Sequence, residues 1–148
     1  MGKTTHAARG KALGVTRLGR APSRGGERAQ LTLRIDFGPY GALGPGKIKL
    51  LERIERFGSI SAAGRSLEMS YRRAWLLIEG INRMFGQAAV ATQHGGTRGG
   101  GAALTKFGQT LVEHYRDMER EAEAAVGHRL RAIQRALADT PPPQPPVE

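Results

Sequence analysis

Residues 58–85 read GSISAAGRSLEMSYRRAWLLIEGINRMF, and residues 95–101 read GGTRGGG. The first stretch opens on Ser59 and Ser61, either of which can cap a helix by accepting from the free N–H groups of its first turn. Ala62, Ala63 and Gly64 keep that helix slim enough to approach a neighbour closely, and Leu67 anchors its far end. Glu68, Met69 and Ser70 make a turn into a longer helix, which Ser70 caps and whose stripe of Ala74, Leu77, Ile78, Ile81 and Phe85 marks a core face. Val90, with Ala89 and Ala91 beside it, and residues 102–104 flank the glycine loop as two short strands. Helix, turn, helix and glycine-rich hairpin, in that order, are what a winged helix-turn-helix needs. The expected fold is therefore mainly α with a small β-hairpin wing, and nucleic acid is the leading partner.

Outward from this unit, Leu31, Leu33, Ile35 and Phe37 alternate with Thr32, Arg34 and Asp36, the period of a half-buried strand. Glycines and prolines over residues 38–46 break it into a loop. Ile48, Leu51, Ile54 and Phe57 then recur every three residues with charges between them, an amphipathic helix that Gly58 ends. On the other side, Thr105 caps a final helix starting at Lys106. Its apolar positions, Phe107, Leu111, Tyr115, Met118, Ala122, Val126, Leu130, Ile133 and Leu137, are spaced by threes and fours. A stripe that long exceeds what one small domain can cover, which points to a C-terminal dimerisation helix. The expected organisation is a disordered basic arm over residues 1–30, the winged domain with its dimer helix over residues 31–138, and a Pro-rich disordered tail over residues 139–148.

Composition limits the partners. Of 148 residues, 39% are hydrophobic and 5% aromatic, no apolar run is long enough to span a membrane, and there is no cysteine for a disulfide or thiolate site. With no apolar N-terminal leader, a cytoplasmic, nucleoid-associated protein that uses no membrane is expected. The net charge of +10 is unevenly spread: residues 1–30 carry seven cations and one anion, residues 46–107 ten and four, and residues 108–148 five and seven. A positive arm and reading unit beside an acidic terminal segment fit a polyanion docking on the first two.

A recognition helix offers its first turn to base edges while its far side is held in the core. Here that turn presents Ser70, Tyr71, Arg72 and Arg73, and arginine can donate two parallel bonds to guanine O6 and N7. Ser59 and Ser61 stand at the start of the preceding helix, Arg98 at the tip of the glycine loop, and Lys106 at its base with His94. Together these form the expected DNA-binding set. Trp75 borders the apolar stripe and is expected to pack more than to touch DNA. A nucleotide-binding reading of the glycine loop lacks the Gly-Lys-Ser/Thr ending. The histidines at 6, 94, 114 and 128 lack metal-site spacing, and the serines sit at caps. No catalytic residue, metal or cofactor is expected.

The combination Gly58-Ser59-Ile60-Ser61, Ser70-Tyr71-Arg72, Ala74-Trp75, Ile78, Asn82, Gly95-Gly96, Gly99-Gly100-Gly101-Ala102, Leu104-Thr105 and Gly108 resembles the DNA-binding domain of the ModE family. Those proteins are molybdate-responsive bacterial regulators related in this domain to the LysR-type winged helix. The resemblance covers residues 31–115. It implies a homodimer on a pseudo-palindromic operator in double-stranded DNA, with Ser70, Tyr71, Arg72 and Arg73 on the recognition helix and Arg98 in the wing. It further implies that residues 31–37 and the terminal helix help to build the dimer. Molybdate-sensing members carry C-terminal oxyanion-binding domains where this sequence has a proline tail, so direct molybdate binding is not expected. The expectation is thus a sequence-specific transcription regulator with a link to molybdenum metabolism. Two other classes fit the composition: a non-specific chromosome-associated protein bound mainly through its basic arm, and a protein-interaction module using the helical stripe.

Overall fold

A computed structural model describes residues 29–93 and 100–138. The expected basic arm up to residue 28, the loop residues 94–99 with Arg98, and the tail from residue 139 lie outside the described residues. The chain divides into two units, one of Leu31–Ala125 and one joining Met1–Gln30 to Val126–Glu148.

In the larger unit, β1 (Ile35–Asp36) pairs antiparallel with β2 (Ala42–Leu43), Ile35 facing Leu43, across a 3₁₀ turn at Gly38–Tyr40. The strand expected over residues 31–37 thus pairs over only two residues. Its partner ends where Gly44 caps α1 (Pro45–Phe57), and Pro45, whose ring presets a helical φ and whose missing N–H costs nothing at a first turn, begins the helix. Helix α1 therefore starts earlier than the loop expected over residues 38–46 allows. Lys47 Nζ donates to Ala42 O at 2.5 Å, and burial, helped by nearby Arg34, holds its ammonium below the usual lysine range.

Four buried residues of α1 face the core: Ile48, Leu50, Leu51 and Ile54. Leu50 replaces Phe57 in the expected stripe, because steps of three fall behind a 3.6-residue turn by about 60° each. Ile48 and Phe57 consequently lie on opposite sides of the helix, and Phe57 is left exposed beneath the Arg56 guanidinium. Gly58 ends α1 at φ 65°, a left-handed conformation that glycine adopts without a Cβ penalty, and its N–H donates to Ile54 O at 2.8 Å.

The remaining elements are α2 (Ile60–Ser66), α3 (Tyr71–Phe85), β3 (Val90–Thr92), β4 (Ala102–Leu104) and α4 (Lys106–Arg135). Strands β3 and β4 pair antiparallel with Val90 opposite Leu104 and Thr92 opposite Ala102. Ala74, Ile78 and Ile81 of α3 meet the α1 residues, Ala63, Val90, Leu104, Leu111 and Tyr115 in one apolar core, with Leu77 and Phe85 half-buried at its margin. Each large side chain removed from water there contributes about 1.5–3 kcal/mol. None of the described helices is long and apolar enough to cross a membrane.

The connection from α3 to the hairpin is fixed by polar bonds. Asn82 Oδ1 accepts from Ala89 N (2.9 Å), Ala89 O accepts from Thr105 N (3.0 Å), and Thr105 Oγ1 donates to Ala88 O (2.7 Å) while accepting from Gly108 N (3.1 Å). Thr105 is in this way the expected cap of α4 as well as its tie to the loop. Gly108 lies so close to Ala89 that a Cβ there would stand 2.1 Å from the Ala89 carbonyl oxygen. Further along α4, Arg116 grips both carboxylate oxygens of Glu52 on α1 at 2.7 Å and reaches Glu119 at 2.5 Å. The hydrogen bonds to Glu52 raise the guanidinium's already high pKa further, against the opposing effect of burial. Tyr115, wholly buried, donates its hydroxyl to Leu33 O at 2.7 Å. In the smaller unit, Ala29 N donates to Gln134 Oε1 at 2.9 Å.

Two outcomes follow from this packing. Gly108→Ala is expected to lose about 3 kcal/mol in urea unfolding, since backbone blocks the new methyl and no flexible side chain can yield. Burial, followed by Glu119, pushes the Tyr115 hydroxyl above its ordinary value of 10.0. The fold thereby holds the protonated form, so this stability is fully present below about pH 10 and is lost as the pH rises through the higher folded-state value. Tyr115→Phe should cost about 1 kcal/mol at neutral pH and flatten the alkaline fall, as read by urea midpoints across the pH range.

Candidate nucleic-acid interface

Both helices of the central motif start on a serine. Ser59 Oγ accepts from Ala62 N (3.2 Å) and Ser70 Oγ accepts from Arg73 N (3.1 Å), each satisfying one of the donors that a helix start leaves open. Of the two serines that can cap α2, Ser59 does so, and Ser61 is exposed with its Oγ accepting from Arg65 Nη1 at 3.3 Å. The turn between the helices closes on Gly64, whose carbonyl accepts from both Leu67 N and Met69 N at 3.0 Å. Glu68 takes φ 58° within it. A Cβ on Gly64 would meet Met69 O at 3.4 Å and Ala74 Cβ at 3.5 Å, ordinary contact distances that leave room for a methyl and little more.

Because Ala74, Ile78 and Ile81 hold the inner side of α3, its first turn projects outward, and Tyr71, Arg72 and Arg73 are all exposed. Neither arginine has an ion-pair partner among the described residues. Tyr71 meets Trp75, one turn on, edge to face with ring centroids 6.2 Å apart. Trp75 is half-buried and packs against the core, as its place beside the apolar stripe suggests.

The hairpin stands next to this helix start because Ala102 N donates to Gly58 O at 2.9 Å, and Gln93 N closes the hairpin on Gly101 O at 2.9 Å. An open groove of about 230 Å³ results. Its helical wall is Ser59, Ile60, Ser61, Tyr71 and Trp75, and its hairpin wall is Thr92, Gln93, Gly100, Gly101 and Ala102. Gly100 has no room for a side chain, since a Cβ there would lie 2.4 Å from Gln93 O.

Of the residues expected from sequence to touch DNA, Ser59, Ser61 and Tyr71 share this groove, and Ser70, Arg72 and Arg73 sit on the same helix start. Lys106 is exposed on the first turn of α4 and does not line the groove. Arg98 lies outside the described residues. Trp75, Thr92 and Gln93 were not among the expected contacts. The four-residue spacing of Tyr71 and Trp75, which stacks side chains on one helix face, was the signal for the tryptophan. Nothing local marked Thr92 or Gln93.

These features define a small, mainly helical domain that exposes the basic, serine-capped start of a helix beside a glycine-rich hairpin. No family profile matches the chain. It is similar to the molybdenum transport protein ModE of Azotobacter vinelandii, 39% identical over 98 residues that make up 66% of this chain and 36% of that protein. To the transcriptional regulator ModE of Haemophilus influenzae it is 34% identical over 95 residues, 64% of this chain and 36% of the relative. The DNA-binding transcriptional dual regulator ModE of Escherichia coli K12 is 39% identical over 71 residues, 48% of this chain and 27% of that protein. The chain thus spans about a third or less of the length of these curated relatives.

Removing either capping hydroxyl should weaken the motif directly. Ser59→Ala and Ser70→Ala are each expected to cost about 1 kcal/mol in denaturant unfolding, with little change in helix content by circular dichroism.

Proposed function

We propose that this chain is a ModE-type DNA-binding domain, a winged helix-turn-helix that reads a duplex through α3 and regulates transcription. The observation that carries the reading is the outward first turn of α3, where Tyr71, Arg72 and Arg73 are exposed above a buried apolar face. A helix so held can enter the major groove, about 12 Å wide, with its arginines at base edges or phosphates. Ser59, Ser61 and Ser70 flank this turn and add hydroxyls for phosphate oxygens, with Lys106 and Arg98 as further cationic contacts. The similarity to proteins named as ModE regulators supports the reading and favours a link to molybdenum-responsive control.

The domain acts as a homodimer. Support comes from α4, where Met118 and Ile133 of the expected apolar stripe are 39% and 66% exposed. A two-fold pair of recognition helices addresses pseudo-palindromic half-sites one helical turn apart, roughly 34 Å, or a multiple of it.

The test starts from duplexes recovered by the purified protein out of a random pool. Arg72→Ala or Arg73→Ala should cost about 1–3 kcal/mol on the recovered site and relax preference at one base position if the arginine reads a base. Uniform weakening on all sequences assigns it to phosphate, and absence of any duplex binding at low salt rejects the proposal.

A further inference from the structure

The groove beside α3 differs in chemistry from the helix start next to it. Arg72 and Arg73 carry charge, whereas among the described residues that line the groove none is charged, and Ser59, Ser61, Thr92 and Gln93 are its polar members. Ile60 and Ala102 are 5% and 8% exposed, so they form its floor, and both are carbon. One wall is a pair of aromatic rings, Tyr71 and Trp75, in edge-to-face contact. Trp75 is partly committed to the core, but Tyr71 is 58% exposed and its ring does little for folding. Although Ser59, Ser61, Thr92 and Gln93 also line it, the recess has an apolar floor and an aromatic wall. It suits the one apolar group that base pairs display in the major groove, the C5-methyl of thymine.

We propose that this recess seats a thymine methyl, with Trp75 and Tyr71 determining specificity for that base while the neighbouring arginines take polar edges or phosphates. The inference rests on the DNA-binding reading above. It predicts a thymine at a fixed place in each half-site.

The test uses the full chain and duplexes recovered by selection, with binding followed by fluorescence anisotropy at one salt concentration. Each thymine is replaced in turn by deoxyuridine, which removes the methyl and leaves every hydrogen-bonding edge intact. One replacement per half-site should weaken binding by about fourfold, the worth of a buried methyl. Tyr71→Ala, at an exposed position, and Trp75→Ala should each make the protein indifferent to that replacement. Unmodified protein that binds every deoxyuridine duplex as tightly as its parent overturns the proposal while leaving DNA binding intact. So does a loss that persists undiminished in both variants. Failure to recover any preferred duplex overturns the methyl recess together with sequence-specific reading, and absence of all duplex binding at low salt overturns the DNA-binding reading itself.

Discussion

The hydrogen bond from Ala102 N–H to Gly58 C=O decides where the hairpin stands. Gly58 serves twice in the same turn. Its left-handed backbone stops α1, donating to Ile54 O, and its carbonyl then faces outward to receive β4. Strand β4 is thereby laid against the junction of α1 and α2, and the strand's partner β3 follows by register. Were that carbonyl turned elsewhere, the β4 stem would lose its tie to the junction of α1 and α2, and the groove would lose one of the two bonds that set its width.

A second set of contacts fixes the other side of the hairpin. Asn82 reaches from α3 to Ala89, Thr105 bonds to Ala88 and Ala89, and Gly108 lets α4 come against the same carbonyl. The hairpin is held by both of its stems, one to α1 and one to α3 and α4. Arg116, bidentate on Glu52, then joins α4 to α1. These polar links are few, and each sits where apolar packing alone would leave the relative orientation of two elements loosely specified, since hydrophobic contact has no direction of its own.

How much of this could be read in the sequence depends on the range of the interaction. Caps are local, and Ser70, Thr105 and Gly58 act where their residue types and neighbours suggest. So do the apolar stripe of α3 and the hairpin across the glycine loop. Positions decided by distant partners were harder to foresee. Strand β1 is curtailed by the short partner it finds, whereas the exposure of Phe57 follows from helical pitch alone and was open to a closer reading of the spacing. The Tyr115 hydroxyl bonds a carbonyl 82 residues away, a pairing that no periodicity encodes. In the candidate interface, the residues on the first turn of α3 were legible from helical geometry. The hairpin's share, Thr92 and Gln93, depends on a main-chain bond between remote segments and was not.

The outer side of α3 shares no packing with its inner side, apart from one residue. Tyr71, Arg72, Leu76 and Glu79 face solvent, while Ala74, Ile78 and Ile81 face the core. Evolutionary drift can therefore alter the outer side chains of such a helix while the scaffold beneath is inherited unaltered. Trp75 is where that independence breaks down, because it is wedged into the interior and open to the groove at once. Divergence at this indole would have to satisfy two masters simultaneously, and the outer residues can be expected to vary before it does.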